Sequence, residues 1–178
     1  MTFDLVEDIA TPRLALIAIT TLSIGAEAAG VGKLAKAVRA RVPETWPPEH
    51  WDPQVLQFLR DRFASDPGDV GWHRYIALRE VDGMRTLIGT VGGFRRAEKA
   101  GECEIGYSVL AEYRELGYAS EAAQAFVRWA LSHASIEDIV AQTFPNLPAS
   151  VRVMEKCGMM FAGSGYEEGT ILYRRPRS

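Results

Sequence analysis

The sequence predicts an α+β fold, a mixed sheet flanked by helices, from three observations. β-Prone runs separated by turns occupy 75–78, 86–94 and 102–110. The strongest amphipathic repeat in the chain follows directly, at 118–133. Beyond it the pattern changes to strand, helix and strand. Strands grouped locally and then alternating with helices bury their apolar faces by building a sheet with helices packed on it.

Leu14 to Ile19 is short and apolar and enters from the turn-like Thr11-Pro12-Arg13, so it reads as a first strand. From Thr21 to Val42 the chain is Ala-rich, with Leu34, Ala37 and Val38 at helical spacing. Gly25, Gly30 and Gly32 each cost about 1 kcal/mol in a helix interior, so a broken helix is expected there. Three prolines make 43–51 a loop that carries Trp46 and Trp51. Pro53 then opens a helix with Val55, Leu56, Leu59 and Phe63 on one face, ended by Asp66-Pro67-Gly68. The runs Tyr75 to Leu78, Thr86 to Phe94 and Glu102 to Leu110 are parted by Val81-Asp82-Gly83 and by the polar stretch 95–101, the pattern of an antiparallel meander. Between Tyr118 and His133, Ala119, Ala122, Ala123, Phe126, Val127, Ala130 and Leu131 repeat on one helical face. Ile139 to Phe144 reads as a strand. Pro148 to Cys157 reads as a helix with Pro in its first turn and Gly158 at its end, and Ile171 to Tyr173 as part of a last strand.

The 178 residues, 47% of them apolar and 24% charged, suit one ordinary globular domain over 1–178. Twenty basic residues stand against 23 acidic ones, a formal charge of -3, and no Lys/Arg cluster is long enough to follow a phosphate backbone. Nucleic acid is therefore not an expected partner. Cys103 and Cys157 form no CxxC, which argues for two reduced thiols in a cytoplasmic protein rather than a disulfide framework or a metal site. Met1 to Asp8 is acidic where a signal peptide is basic, and the apolar run 14–19 falls far short of the roughly 20 residues that span a bilayer. No membrane association is expected.

The strongest local chemical signal is Arg114-Glu115-Leu116-Gly117-Tyr118-Ala119, between the strand ending near Leu110 and the long helix. Amides in such a turn converge and the helix dipole adds positive charge, so the turn suits a pyrophosphate. Gly117 lets backbone approach a phosphate; the same hexapeptide also serves as a plain connector. A Walker loop and a dinucleotide fingerprint are both missing. Gly89-Thr90-Val91-Gly92-Gly93 lies inside a strand and reads as a site of curvature. Strand alternation puts Glu102, Glu104, Gly106 and Ser108 on one face, and Cys103, Ile105, Tyr107 and Val109 on the other. Ser150, near the start of the last helix, is a candidate N-cap or first-turn hydroxyl.

Glu104-Ile105-Gly106-Tyr107-Ser108-Val109-Leu110, followed by Glu112-Tyr113-Arg114-Glu115-Leu116-Gly117-Tyr118-Ala119-Ser120-Glu121-Ala122, resembles the E-I-G-Y-x-L…Y-R-x-x-G-Y-A-[ST]-E-A block of GNAT acetyltransferases. Ser150-Val151-Arg152-Val153-Met154-Glu155-Lys156-Cys157-Gly158-Met159 is similar to that family's S-x-R-V-x-E-K-x-G-F helix, and Thr11-Pro12-Arg13-Leu14 to its T-x-R-L start. Within the family the chain most resembles the ribosomal-protein N-terminal acetyltransferases.

The resemblance implies the GNAT fold, a mostly antiparallel mixed sheet splayed open between the strands 102–110 and 139–144, with acetyl-CoA in the opening and no metal. Main-chain groups of Ser108, Val109 and Leu110 would pair with the pantetheine. Amides over the run Leu116, Gly117, Tyr118, Ala119 and Ser120, which follows Glu115, would hold the pyrophosphate, with the Arg114 side chain beside them or in solvent. The family's N-x-x-S appears here one residue longer, as Asn146-Leu147-Pro148-Ala149-Ser150, which makes Asn146 the candidate for a pantetheine contact. Met154 occupies the place of a catalytic Tyr, so Ser150 becomes the candidate donor to the leaving thiolate. Glu104 would take the amine proton directly or through water, or stand as a solvated strand residue. His50 and the walls Trp46, Trp51 and Trp72 could border the amine or serve packing. The implied reaction is direct acetyl transfer to a primary amine, a peptide or protein N-terminus. A small amine or antibiotic acceptor, or a non-catalytic acyl-CoA-binding module, are the alternatives. Oligomeric state, a homodimer included, stays open.

Overall fold

The computed structural model describes residues 6–79 and 82–177. Residues 1–5 of the acidic start and Val81 of the turn Val81-Asp82-Gly83 lie outside them. The chain divides into two compact units. Met1–Val91 with Ser108–Tyr118 forms one, and Gly92–Tyr107 with Ala119–Ser178 the other.

In the first unit, β1 (Ile9–Ala10) pairs antiparallel with β2 (Leu14–Ala18), and β2 pairs antiparallel with β4 (His73–Leu78) in the register Leu16↔Ile76. β5 (Arg85–Arg95) lies beside β4, and β3 (Ala40–Arg41) runs parallel to β5. The helical stretch is broken as expected, into α1 (Thr21–Ala28) and α2 (Val31–Val38), with the break at Ala29 and Gly30. It stops short of Val42. Arg39 turns left-handed at φ 51, and Ala40 and Arg41 are drawn into pairing with Arg85 and Thr86. The helix at Pro53 is α3 (Pro53–Ser65). Asp52 caps it by accepting from the amides of Gln54 and Val55 at 2.8 and 3.0 Å, as a short acceptor at that position should.

Leu59 and Phe63 of α3 join Ile17, Ile24, Leu34, Tyr75 and Leu87 in this unit's core, each such side chain contributing about 1.5–3 kcal/mol by leaving water. The Pro-rich loop is anchored there too. Trp46 and Trp51 are buried and donate their indole N–H groups to Glu27 Oε1 at 2.8 and 2.9 Å, while the Tyr75 hydroxyl donates to Oε2 at 2.6 Å. Both indoles therefore belong to the core. Burial, reinforced by the Glu27 carboxylate, pushes the Tyr75 phenol far above its ordinary value. His50 is at the surface with φ 64.

In the second unit, β6 (Glu102–Val109), whose last two residues belong to the first, pairs parallel with β7 (Asp138–Thr143). β7 pairs antiparallel with β9 (Ile171–Pro176), and β9 with β8 (Met160–Ser164). The amphipathic repeat forms α4 (Tyr118–Leu131), burying Ala122, Ala123, Phe126, Val127 and Ala130. α5 (Pro148–Lys156) ends in a Schellman arrangement: the Gly158 amide donates to the Glu155 carbonyl at 2.9 Å and the Met159 amide to Met154 at 3.1 Å. Cys103 and Cys157 are buried, unbridged thiols, and burial pushes them up to about 12 and about 11. β5 and β6 are hydrogen-bonded neighbours, and both pass from one unit into the other. Together the two units hold a mixed, mostly antiparallel sheet with helices beside it, the fold class that the sequence predicts.

Candidate active site

The loop that carries the first part of the site is built by close backbone packing. A Cβ on Gly89 would fall 2.2 Å from the Ser108 carbonyl oxygen, so only glycine lets β5 approach β6 here. The Leu110 amide donates to the Ile88 carbonyl at 2.8 Å. A 3₁₀ turn over Ala111–Tyr113 follows, and then Glu115 at φ 62 and Gly117 at φ 81 wrap the chain into α4 at Tyr118. The first N–H groups of a helix have no partner within it and point out of its start with partial positive charge. Ala119 and Ser120 complete that first turn.

Arg13 adds a full charge to this loop. Its Nη1 donates to the Leu116 carbonyl at 2.9 Å, its guanidinium lies 4.5 Å from the centre of the Tyr118 ring, and its Nη2 is 3.3 Å from where a Cβ on Gly117 would stand. Apart from Gly117 and its two chain neighbours, no other heavy atom among the described residues comes within 4 Å of that point. Arg114, the cation that its sequence position favours, has two partners. Its Nε donates to the Val109 carbonyl at 3.0 Å, within the turn, and its Nη2 to Glu49 of the Pro-rich loop at 3.1 Å. The Val109 oxygen keeps a second lone pair for a further donor. Glu115 and Leu116 are exposed.

The second unit holds the two catalytic candidates. Among the described residues the β6–β7 ladder runs from Glu102↔Asp138 to Glu104↔Val140, whereas β7 stays paired with β9 as far as Thr143. Beside Gly106, two residues past the last rung, a Cβ would meet nothing within 4 Å. Glu104 accepts from Arg96 through Nε at 3.0 Å and Nη2 at 2.6 Å, and from Gln142 Nε2 at 2.7 Å. The carboxylate in turn raises the proton affinity of Arg96.

Ser150 lies in the first turn of α5, whose N-cap is Leu147, so its hydroxyl is not the cap. Tyr107 reaches it from β6: the phenol donates to the Ser150 carbonyl at 3.0 Å and stands 3.3 Å from Ser150 Oγ. Burial pushes that phenol up to about 12, which keeps it a proton donor at neutral pH. Asn146 sits exposed in the turn 144–147, closed by the Leu147 amide donating to the Phe144 carbonyl.

The structure thus gathers Ser108 to Tyr118 with Arg13, pairs Glu104 with Arg96 and Gln142, and pairs Ser150 with Tyr107. Arg13 and Tyr107 are additions to the residues that the sequence singled out for chemistry. Among the described residues no group of three or more His, Cys, Asp or Glu side chains could hold a metal ion, and no helix is long and apolar enough to cross a membrane.

A family model described as the acetyltransferase (GNAT) domain matches residues 27–160, and the chain belongs to that family. Over 120 residues it is 24% identical to the uncharacterized N-acetyltransferase YjdG of Bacillus subtilis, a stretch covering 67% of this chain and 70% of that relative. Two Vibrio cholerae structures share its fold. One, classed as a ribosomal-protein-serine acetyltransferase, has 18% identity over 99% of each chain with a TM-score of 0.64. The other, a mutant of the spermidine N-acetyltransferase SpeG, has 14% identity over 94% of this chain and 96% of its own, with a TM-score of 0.60.

Proposed function

We propose that this acetyltransferase takes its acetyl group from acetyl-CoA and passes it to the amino terminus of a peptide or protein. The observation that carries the cosubstrate is the turn at 115–117, where two residues of positive φ, the start of α4 and the Arg13 guanidinium meet around the open Gly117. Such a turn fits a diphosphate through backbone N–H groups and needs no metal. When bound, acetyl-CoA supplies the acetyl group as an activated thioester.

The amides from Leu116 to Ser120, with Arg13, hold the pyrophosphate. Main-chain groups of Ser108, Val109 and Leu110 pair with the pantetheine. Arg114 braces the turn from within. Glu104 receives the proton that the amine must lose to become a nucleophile, through water, since both of its oxygens already accept from Arg96 and Gln142. Ser150 donates a proton to the departing thiolate, and the neutral Tyr107 phenol beside it can replace that proton. The family match at 27–160 runs through both units and supports reading the chain as one catalytic domain. Its buried reduced thiols suit the cytoplasm.

For the acceptor, the likeness to the ribosomal-protein-serine acetyltransferase structure supports a peptide N-terminus. The likeness to SpeG supplies the second reading, a polyamine. Steady-state turnover with acetyl-CoA separates them when Ser-initiated peptides and spermidine are compared at equal concentration. Higher kcat/KM on peptides is expected; turnover of spermidine with none of any peptide would sink the preferred acceptor.

A further inference from the structure

The side-chain amide of Gln142 has its two ends fixed by different neighbours. Its oxygen faces the main-chain N–H groups of Tyr166 at 2.9 Å and Glu167 at 3.1 Å, which can only donate. Thr170 Oγ1 shares its single proton between the same oxygen at 3.0 Å and the Glu167 carbonyl at 2.6 Å. Its nitrogen faces Glu104 Oε1 at 2.7 Å and Glu167 Oε1 at 3.4 Å, which accept. A flipped amide would set donor against donor at one end and acceptor against acceptor at the other. The loop 165–170, between β8 and β9, therefore dictates that Gln142 presents N–H to Glu104.

The same loop backs the other donor. The Arg96 guanidinium lies 5.2 Å from the centre of the Tyr166 ring, Lys99 Nζ lies 3.2 Å from it, and the Tyr166 hydroxyl donates to Glu102 at 2.7 Å. Gly165 leaves room for this packing, since a Cβ there would come within 2.0 Å of Thr170 Oγ1 and 2.9 Å of Gln142 Oε1.

We infer that Gln142 is a positioning residue for Glu104, and that the loop 165–170 sets the aim of the proton acceptor by locking the Gln142 amide. The inference rests on the reading of Glu104 as the group that receives the amine proton. Around that carboxylate stand Arg96, which also meets Glu98 at 4.0 Å, the Tyr166 phenol, the Glu167 carboxylate near Gln142, and the buried Cys103 thiol on the strand itself.

Gln142→Glu is the discriminating change, because it keeps an oxygen for the two loop amides and sets a second carboxylate against Glu104. A like charge at that distance disfavours the ionised form, so the acid limb of kcat/KM moves up by about one pH unit or more. Coenzyme A affinity by calorimetry stays within twofold. In the wild-type protein, the Gln142 side-chain NH₂ resonances follow the same titration as the acid limb, an outcome that needs no variant to fold. Glu104→Gln, run in parallel, separates the two claims. If it abolishes the acid limb while Gln142→Glu folds and leaves the limb in place, or while the amide resonances ignore the titration, Gln142 has no positioning role. If Glu104→Gln leaves the limb and the rate intact, the reading of Glu104 falls and this inference falls with it.

Discussion

Replacing Gly117 with glutamate places a charge where the diphosphate of the cosubstrate is proposed to lie, and the geometry sets the size of the effect. Two unit charges about 4 Å apart repel by about 4 kcal/mol at an effective dielectric of about 20. Arg13 Nη2, 3.3 Å from the new Cβ, pairs with the added carboxylate and offsets part of that. A net loss of roughly 2–3 kcal/mol, about 30- to 160-fold in coenzyme A affinity, is expected. The backbone contributes separately. At φ 81 an L-residue costs about 1–2 kcal/mol, which lowers Tm by roughly 2–8 °C in a chain of this size. Gly117→Ala carries that strain without the charge and serves as the control. Isothermal titration with coenzyme A beside a thermal melt reads both quantities. No phosphate lies against Gly117 if Gly117→Glu folds and binds within threefold of wild type, or if Gly117→Ala weakens binding as much as Gly117→Glu does.

Arg13→Ala should weaken coenzyme A about tenfold, near 1.4 kcal/mol, and flatten the salt dependence of binding, because it removes the guanidinium held beside Gly117; binding titrated at several ionic strengths checks this. Ser150→Ala should lower kcat at an unchanged coenzyme A dissociation constant, and Tyr107→Phe should lower it less. Their double variant should fall well short of the product of the two losses, since the hydroxyls serve one proton transfer. His73 is half-buried at the start of β4, and desolvation depresses it to about 4, below the ordinary 6.5. The unfolded chain then takes up a proton that the folded one refuses, so stability holds above pH 6.5 and falls as pH drops towards 4. His73→Gln should flatten that part of the Tm-against-pH curve.

Local patterns were readable wherever a residue's neighbours in sequence are its neighbours in space. The repeat from Ala119 to Leu131 gave α4 within two residues, and Pro148 with Gly158 bracketed α5, because helix periodicity and end chemistry are local. β8 carries no such local pattern, for the opposite reason. Met160 and Phe161 are 70% and 63% exposed, and the register shifts between Phe161 and Gly163, so no alternation marks the strand. β3 was hidden in an Ala-rich stretch, since two residues pair with β5 only through tertiary contact. The site divides along the same line. The turn 114–120 could be read from its glycine and its place between strand and helix. The Arg13 bond to Leu116 spans 103 positions and the Tyr107 contact with Ser150 spans 43, distances at which no spacing rule applies. Tyr107 also falls on the apolar face of β6 by alternation, which reads as packing.

Transfer of a labelled acetyl group is the decisive measurement of the proposed reaction. The protein is incubated with trideuteroacetyl-CoA and a Ser-initiated peptide, and both peptide and protein are weighed and fragmented by mass spectrometry. The account predicts one trideuteroacetyl group on the peptide α-amine, free thiol released in equal amount, and no label on Cys103 or Cys157, whose burial keeps them protonated. Label retained on the protein, or none on any amine while coenzyme A binds, would contradict it.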